Sequence, residues 1–127
     1  METVTGIGGV FFKARDPKAL AAWYRDHLGV PVAEDQTYGA FESVGSGEHT
    51  VWSTFPQDSE YFGPASASMM VNYRVRDLDA MLAQLRARGA KVDDRVEEYE
   101  YGRFGWAVDP EGNRFELWEP PSQLPGS

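Results

Sequence analysis

The chain carries one pattern of apolar and polar positions twice. "VFFKARDPKALAAWYRDHLGVPV" in the first half and "MVNYRVRDLDAMLAQLRARGAKV" in the second each run from an extended apolar stretch through Asp, an amphipathic segment and Gly into another apolar stretch. With Asp16 set on Asp77 the offset is 61 residues. Leu20, Trp23, Tyr24 and His27 form one stripe and Leu78, Met81, Leu82 and Leu85 the other, at the i, i+3, i+4, i+7 spacing of a helix with one buried face. Asp16 and Asp77 stand at the N-caps, Pro17 in a first turn that tolerates it, and Gly29 and Gly89 where a left-handed residue ends a helix.

The echo continues beyond the helices. "YGAF" at 38–41 matches "YGRF" at 101–104 with an offset of 63, and the turn "VGSGE" stands where "DPEGN" stands later. Strands "HTVWSTF" and "RFELWEP" follow, so each copy reads as β-α-β-β-β with a closing antiparallel hairpin. The expected organisation is an α+β domain of two βαβββ modules. Module one covers about residues 6–55 and module two about 69–120, with a linker at 56–68 and a mobile tail at 121–127.

Alternation sorts the side chains of these strands into two faces. On the last strand Phe115 and Leu117 share the helix side, while Arg114, Glu116 and Trp118 point the other way. The matching inner set is Gly9, Phe11 and Lys13 on the first strand, Met70, Asn72 and Arg74 on its counterpart, and Thr50 and Trp52 or their alternates. This surface is apolar and aromatic with a few polar groups, as small-molecule pockets are. A buried Glu116 requires either a partner, for which Arg74, Lys13 and Arg114 are available, or a raised pKa that makes it a general-base candidate. His49 opens a strand and is a candidate contact; His27 suits packing or capping at the end of the first helix. Tyr101 and Arg103 precede the last hairpin, in a segment headed by the acidic run "DDRVEEYEYG", whose charges suit a solvated strand or loop edge.

Composition narrows the partners. The 127 residues carry 12 Lys plus Arg against 20 Asp plus Glu, a formal charge of −8, which argues against nucleic acid or an anionic membrane. There is no Cys, so disulfides and thiolate chemistry are excluded, and no segment has the length of a bilayer span, so the expected placement is cytoplasmic. "GIGG" precedes a strand rather than a helix and does not cradle phosphate, "DPEGN" is too short for a calcium loop, and no G-x-S-x-G elbow occurs.

"DPKALAAWYRDHLGVPV" and "DPEGNRFELWEP", together with the repeat, resemble the vicinal oxygen chelate superfamily of glyoxalase I, bleomycin-resistance proteins and extradiol dioxygenases. The resemblance spans Gly6 to Pro120. It implies paired modules whose half-barrel mixed sheets enclose a ligand cavity, a homodimer, and a segment over the pocket mouth in which Tyr101 and Arg103 are candidates for ligand contact or gating. It also implies metal-ligand positions at the start of each module's first strand and within each last strand, here near Gly9 and Met70, at Thr50 or Val51, and at Glu116. Glu116 alone among these is a strong ligand for a divalent ion, so no metal cofactor is expected and a divalent metal is the alternative. The expected function is binding of a small, partly aromatic or carbonyl-containing molecule by Phe11, His49, Trp52, Met70, Asn72, Tyr101, Arg103 and Trp118. The alternative is a metal-dependent lyase, isomerase or dioxygenase with Glu116 as its catalytic residue.

Overall fold

A computed structural model describes residues 1–42 and 48–121. Most of the expected "VGSGE" turn and all of the tail after Pro121 lie outside the described residues. The chain divides into two compact units, an N-terminal one from Gly8 to Val71 and a C-terminal one from Asn72 onward that also takes in Met1–Ile7. The architecture is mixed α+β.

In the N-terminal unit, β1 (Val4–Ala14), which belongs to it from Gly8 onward, leads into α1 (Pro17–Leu28), and β2 (Tyr38–Glu42) pairs antiparallel with β3 (His49–Pro56). β3 returns parallel to β1, with Phe11 opposite Ser53. The Asp16 carboxylate accepts the Ala19 N–H at 3.1 Å, and Gly29 ends the helix at φ 71°, as the sequence pattern requires. The strand expected over "VPV" is reduced to a single bridge between Val32 and Gly39. Here the chains are so close that a Cβ on Gly39 would sit 2.1 Å from the Pro31 carbonyl oxygen.

The buried stripe of α1 differs from its expected one. Ala21 is fully buried and Tyr24 packs on Trp52, whereas Trp23 is 49% exposed and His27 stacks on it outside at 4.5 Å. Small Ala21 lets the helix approach the sheet closely, and the bulky indole of Trp23 is left at the rim. The segment after β3 is folded rather than extended. Phe62 is 1% exposed and meets Phe55 edge-on at 5.2 Å, and the Ser68 carbonyl accepts the Lys13 N–H at 2.9 Å.

The C-terminal unit contains β4 (Met69–Val75) from Asn72 onward, α2 (Leu78–Ala87), β5 (Lys91–Val92), β6 (Glu97–Tyr99), β7 (Gly102–Val108) and β8 (Arg114–Glu119). Within it β4 runs parallel to β8, β8 antiparallel to β7, and β5 and β6 both pair with β7. Val75, Leu78, Met81, Leu82 and Leu117 make its core, with Tyr73 and Phe115 beside them. This is the predicted α2 stripe on the predicted face of β8. Asp77 caps the Ala80 N–H at 3.0 Å. The acidic run supplies the short strand β6. Asp109 closes the β7–β8 turn by accepting the Glu111 and Asn113 N–H groups at 2.9 Å, with Gly112 at φ 88°.

The two units differ in their hairpin register. Phe11 faces Ser53 and Asn72 faces Glu116, so the offset is 61 on the first strands and 63 on the last. Yet Phe41 pairs with Thr50 and Phe104 with Trp118. The YGxF echo therefore marks the start of each strand, but its two copies occupy different places against their neighbours.

Candidate functional site

The C-terminal unit turns one sheet face away from α2, and its centre is a carboxyl. Asn72 on β4 and Trp106 on β7 are the strand neighbours of Glu116 on β8, so all three project from the same side. Glu116 is 2% exposed. Its Oε1 lies 2.5 Å from Asn72 Nδ2, and its Oε2 accepts the Trp106 indole N–H at 2.9 Å. Two donors favour the ionised form, but the loss of hydration outweighs them, and burial pushes the carboxyl up from 4.5 to about 8.

Asn72 is equally buried, and its Oδ1 has no hydrogen-bond partner among the described residues. A neutral Glu116 can donate its O–H to Oδ1 if the amide is turned about, and the amide N–H₂ then becomes the open group. In either orientation one buried hydrogen-bonding valence remains for a ligand or a water. Aromatic surface adjoins it on the same face. Phe104 stacks on Trp118 at 6.1 Å, and the guanidinium groups of Arg95 and Arg114 lie 5.2 and 5.4 Å from the Trp106 ring centre.

Of the residues offered as partners for Glu116, Arg114 binds Asp93 at 2.8 Å and Lys13 reaches the Ala65 carbonyl at 3.3 Å. Arg74 is buried and donates to the Ile7 carbonyl at 3.0 Å. The raised pKa of Glu116 comes from its burial.

The structure brings together only part of the expected ligand-binding set. Trp118 shares the face of Glu116, and its indole N–H donates to the Tyr101 carbonyl at 2.8 Å. Met70 is buried on β4, in the same alternation as Asn72. Phe11 is buried against Phe55 at 5.5 Å, on the face of its own sheet that also carries Ser53 and His49. His49 opens β3 opposite Glu42.

Trp52 is a correction. It pairs with Val10 and packs under α1 with Phe12 and Tyr24, because period-two alternation from Ser53 places position 52 on the helix side. Arg103 is another: its guanidinium is anchored by Asp79 at 3.0 and 3.1 Å and lies 2.9 Å from Glu98, so it ties β7 to α2 and is not positioned as a gate. The Tyr101 side chain is exposed and stacks on Tyr99 at 5.3 Å. Trp106 was missed, since its link to Glu116 depends on hairpin register; the only signal was its place in the alternating "GRFGWAV".

The metal-ligand positions are also revised. By register the counterpart of Glu116 in the N-terminal unit is Ser53, not Thr50 or Val51. Gly9 offers no side chain, Met70 a soft thioether and Ser53 a hydroxyl, so Glu116 is the one carboxyl among these positions. These residue types are a poor match to a divalent cation, and no group of three or more His, Asp or Glu that could hold a metal ion occurs among the described residues.

A fold of repeated α-on-sheet units with a buried carboxyl on the last strand defines the class, and the family follows from direct comparison. A family model for the glyoxalase-like domain matches residues 9–118, and the chain belongs to that family, within the vicinal oxygen chelate superfamily. No curated protein matches the sequence. Among solved structures, methylmalonyl-CoA epimerase from Mycobacterium tuberculosis is 26% identical, with a TM-score of 0.66 over 93% of this chain and 89% of that one. The Streptomyces coelicolor methylmalonyl-CoA epimerase in complex with 2-nitronate-propionyl-CoA is 17% identical, with a TM-score of 0.73 over 94% of this chain and all of that one. The Mn(II)-bound glyoxalase from Novosphingobium aromaticivorans is 23% identical, with a TM-score of 0.63 over 94% of this chain but 40% of that one.

Proposed function

We propose that this glyoxalase-like protein binds a small carbonyl-containing or partly aromatic molecule without a strongly held metal, anchoring it at Glu116 and Asn72. The observation that supports this reading is the open hydrogen-bonding group of a buried amide beside a protonatable carboxyl, on a face that also carries Trp106, Phe104 and Trp118. With the O–H of a neutral Glu116 donated to Asn72 Oδ1, the open group is the amide N–H₂, and a ligand carbonyl is its natural acceptor. A site built around buried polar groups rejects analogues that leave those groups unpaired. We further read the protein as a homodimer, to be checked by sedimentation against the chain mass of 14.2 kDa.

A second reading, a metal-dependent lyase, isomerase or dioxygenase, has in its favour the Mn(II)-bound glyoxalase and the epimerases among the structural neighbours. Elemental analysis after incubation with zinc, nickel, manganese and ferrous iron and desalting separates the two. The proposal expects no retained metal, and no turnover of dicarbonyl, glutathione-adduct or catechol substrates. Near-stoichiometric metal that disappears in Glu116→Ala would overturn it in favour of the enzyme. On the ligand side, a carbonyl compound that binds the wild type should be recovered unchanged and should lose about tenfold or more in affinity on Asn72→Ala.

A further inference from the structure

The N-terminal unit holds a groove of about 690 Å³ that the Glu116 site does not use. Its walls are Ala19, Leu20 and Trp23 of α1 on one side and Ala65 and Ala67 of the segment after β3 on the other. The volume lies within the usual range of small-molecule sites, about 300–1,000 Å³. Trp23 lines it with an indole that is half exposed, although α1 has a buried stripe it could have joined.

Two cations stand at this groove, Lys13 and Arg15. Elsewhere in this acidic chain five arginines are matched to carboxylates, Arg25 to Asp26, Arg76 to Glu2, Arg95 to Glu97, Arg103 to Asp79 and Arg114 to Asp93, while Arg86 reaches the Asp93 carbonyl and Arg88 the Met1 sulfur. Among the described residues neither Lys13 nor Arg15 has a carboxylate at ion-pair distance. Lys13 instead donates to the Ala65 carbonyl at 3.3 Å, and its ammonium lies 5.4 Å from the Phe62 ring centre. Asp16 also lines the groove, but one of its oxygens is engaged in capping Ala19.

We propose that this groove is a second ligand site, for a flat apolar or aromatic carboxylate. The ring system would lie against Trp23 and Leu20, and the carboxylate between Lys13 and Arg15. Opposite charge at two otherwise unmatched cations selects the acid over its neutral amide, and the aromatic wall selects a planar body.

The test is isothermal titration of the intact protein with 2-naphthoate and with 2-naphthamide, its neutral counterpart. The expected result is saturable one-to-one binding of the acid, with the amide at least about tenfold weaker. Arg15→Gln and Lys13→Met should each weaken the acid about threefold and the pair together about tenfold, and Trp23→Ala about fivefold. Glu116→Gln should leave the affinity unchanged. Arg15 is exposed, so its variant keeps the fold even if Lys13→Met disturbs Phe62. Equal affinity for acid and amide, an Arg15→Gln protein that binds like wild type, or loss of binding in Glu116→Gln would each overturn the proposal.

Discussion

At the scale of the residue, Glu116 links folding to pH. The unfolded carboxyl titrates near 4.5 and the buried one near 8. Between these values the unfolded chain gives up a proton that the folded chain retains, so stability falls as pH rises through this window and levels off above it. The stabilising effect is complete below about 4.5. The size of the change is about 3–5 kcal/mol, and urea titrations at pH 5 and pH 8.5 should reveal it as a lower midpoint at the higher pH. Glu116→Gln mimics the neutral form and should remove most of that slope; an unchanged slope would mean the carboxyl is ionised throughout. Asn72→Ala removes a buried partner of Glu116, and an equilibrium loss of about 1–3 kcal/mol is expected at pH 7.

At the scale of the element, a tight constraint lies where β6 turns into β7. Gly102 has φ 134°, and a Cβ there would sit 2.4 Å from Trp118 Nε1 and 2.5 Å from the Glu119 carbonyl oxygen. Gly102→Ala should therefore destabilise by at least about 2 kcal/mol, read as a lower thermal midpoint, and should loosen the Trp118 indole from the Tyr101 carbonyl. The helix caps are milder. Asp77→Ala leaves the Ala80 N–H without its acceptor and should cost about 1 kcal/mol by chemical denaturation. These caps were legible because they depend only on neighbours in sequence. The true buried stripe of α1 was not: periodicity identifies a helix with an apolar side, but bulky Trp23 and small Ala21 compete for the sheet, and close approach favours the smaller residue.

At the scale of the whole molecule, family and reaction separate. The repeat, the caps and the closing hairpin were sufficient to identify a glyoxalase-like domain, since each is written in local spacing and the family model covers residues 9–118. The chemistry rests on a few positions that the same fold fills differently from one protein to the next. Here those positions carry Gly9, Ser53, Met70 and Glu116, and a structural neighbour is Mn(II)-bound, so retained metal is the measurement that separates the two readings proposed above.

The sequence by itself determined which residues make the helices, where those helices start and stop, and that Phe115 and Leu117 face one way and Glu116 and Trp118 the other. Those features follow from steric preferences and periodicities that operate over a few residues. Only the tertiary structure decided that Trp106 and Asn72 hold Glu116, that Trp52 lies under α1, that Arg103 ties β7 to Asp79 and that Phe62 is buried in a segment that reads as a linker. The places of Trp106, Asn72 and Trp52 depend on the register between strands, where a shift of one residue exchanges the two faces of a sheet, and those of Arg103 and Phe62 on packing between separate elements.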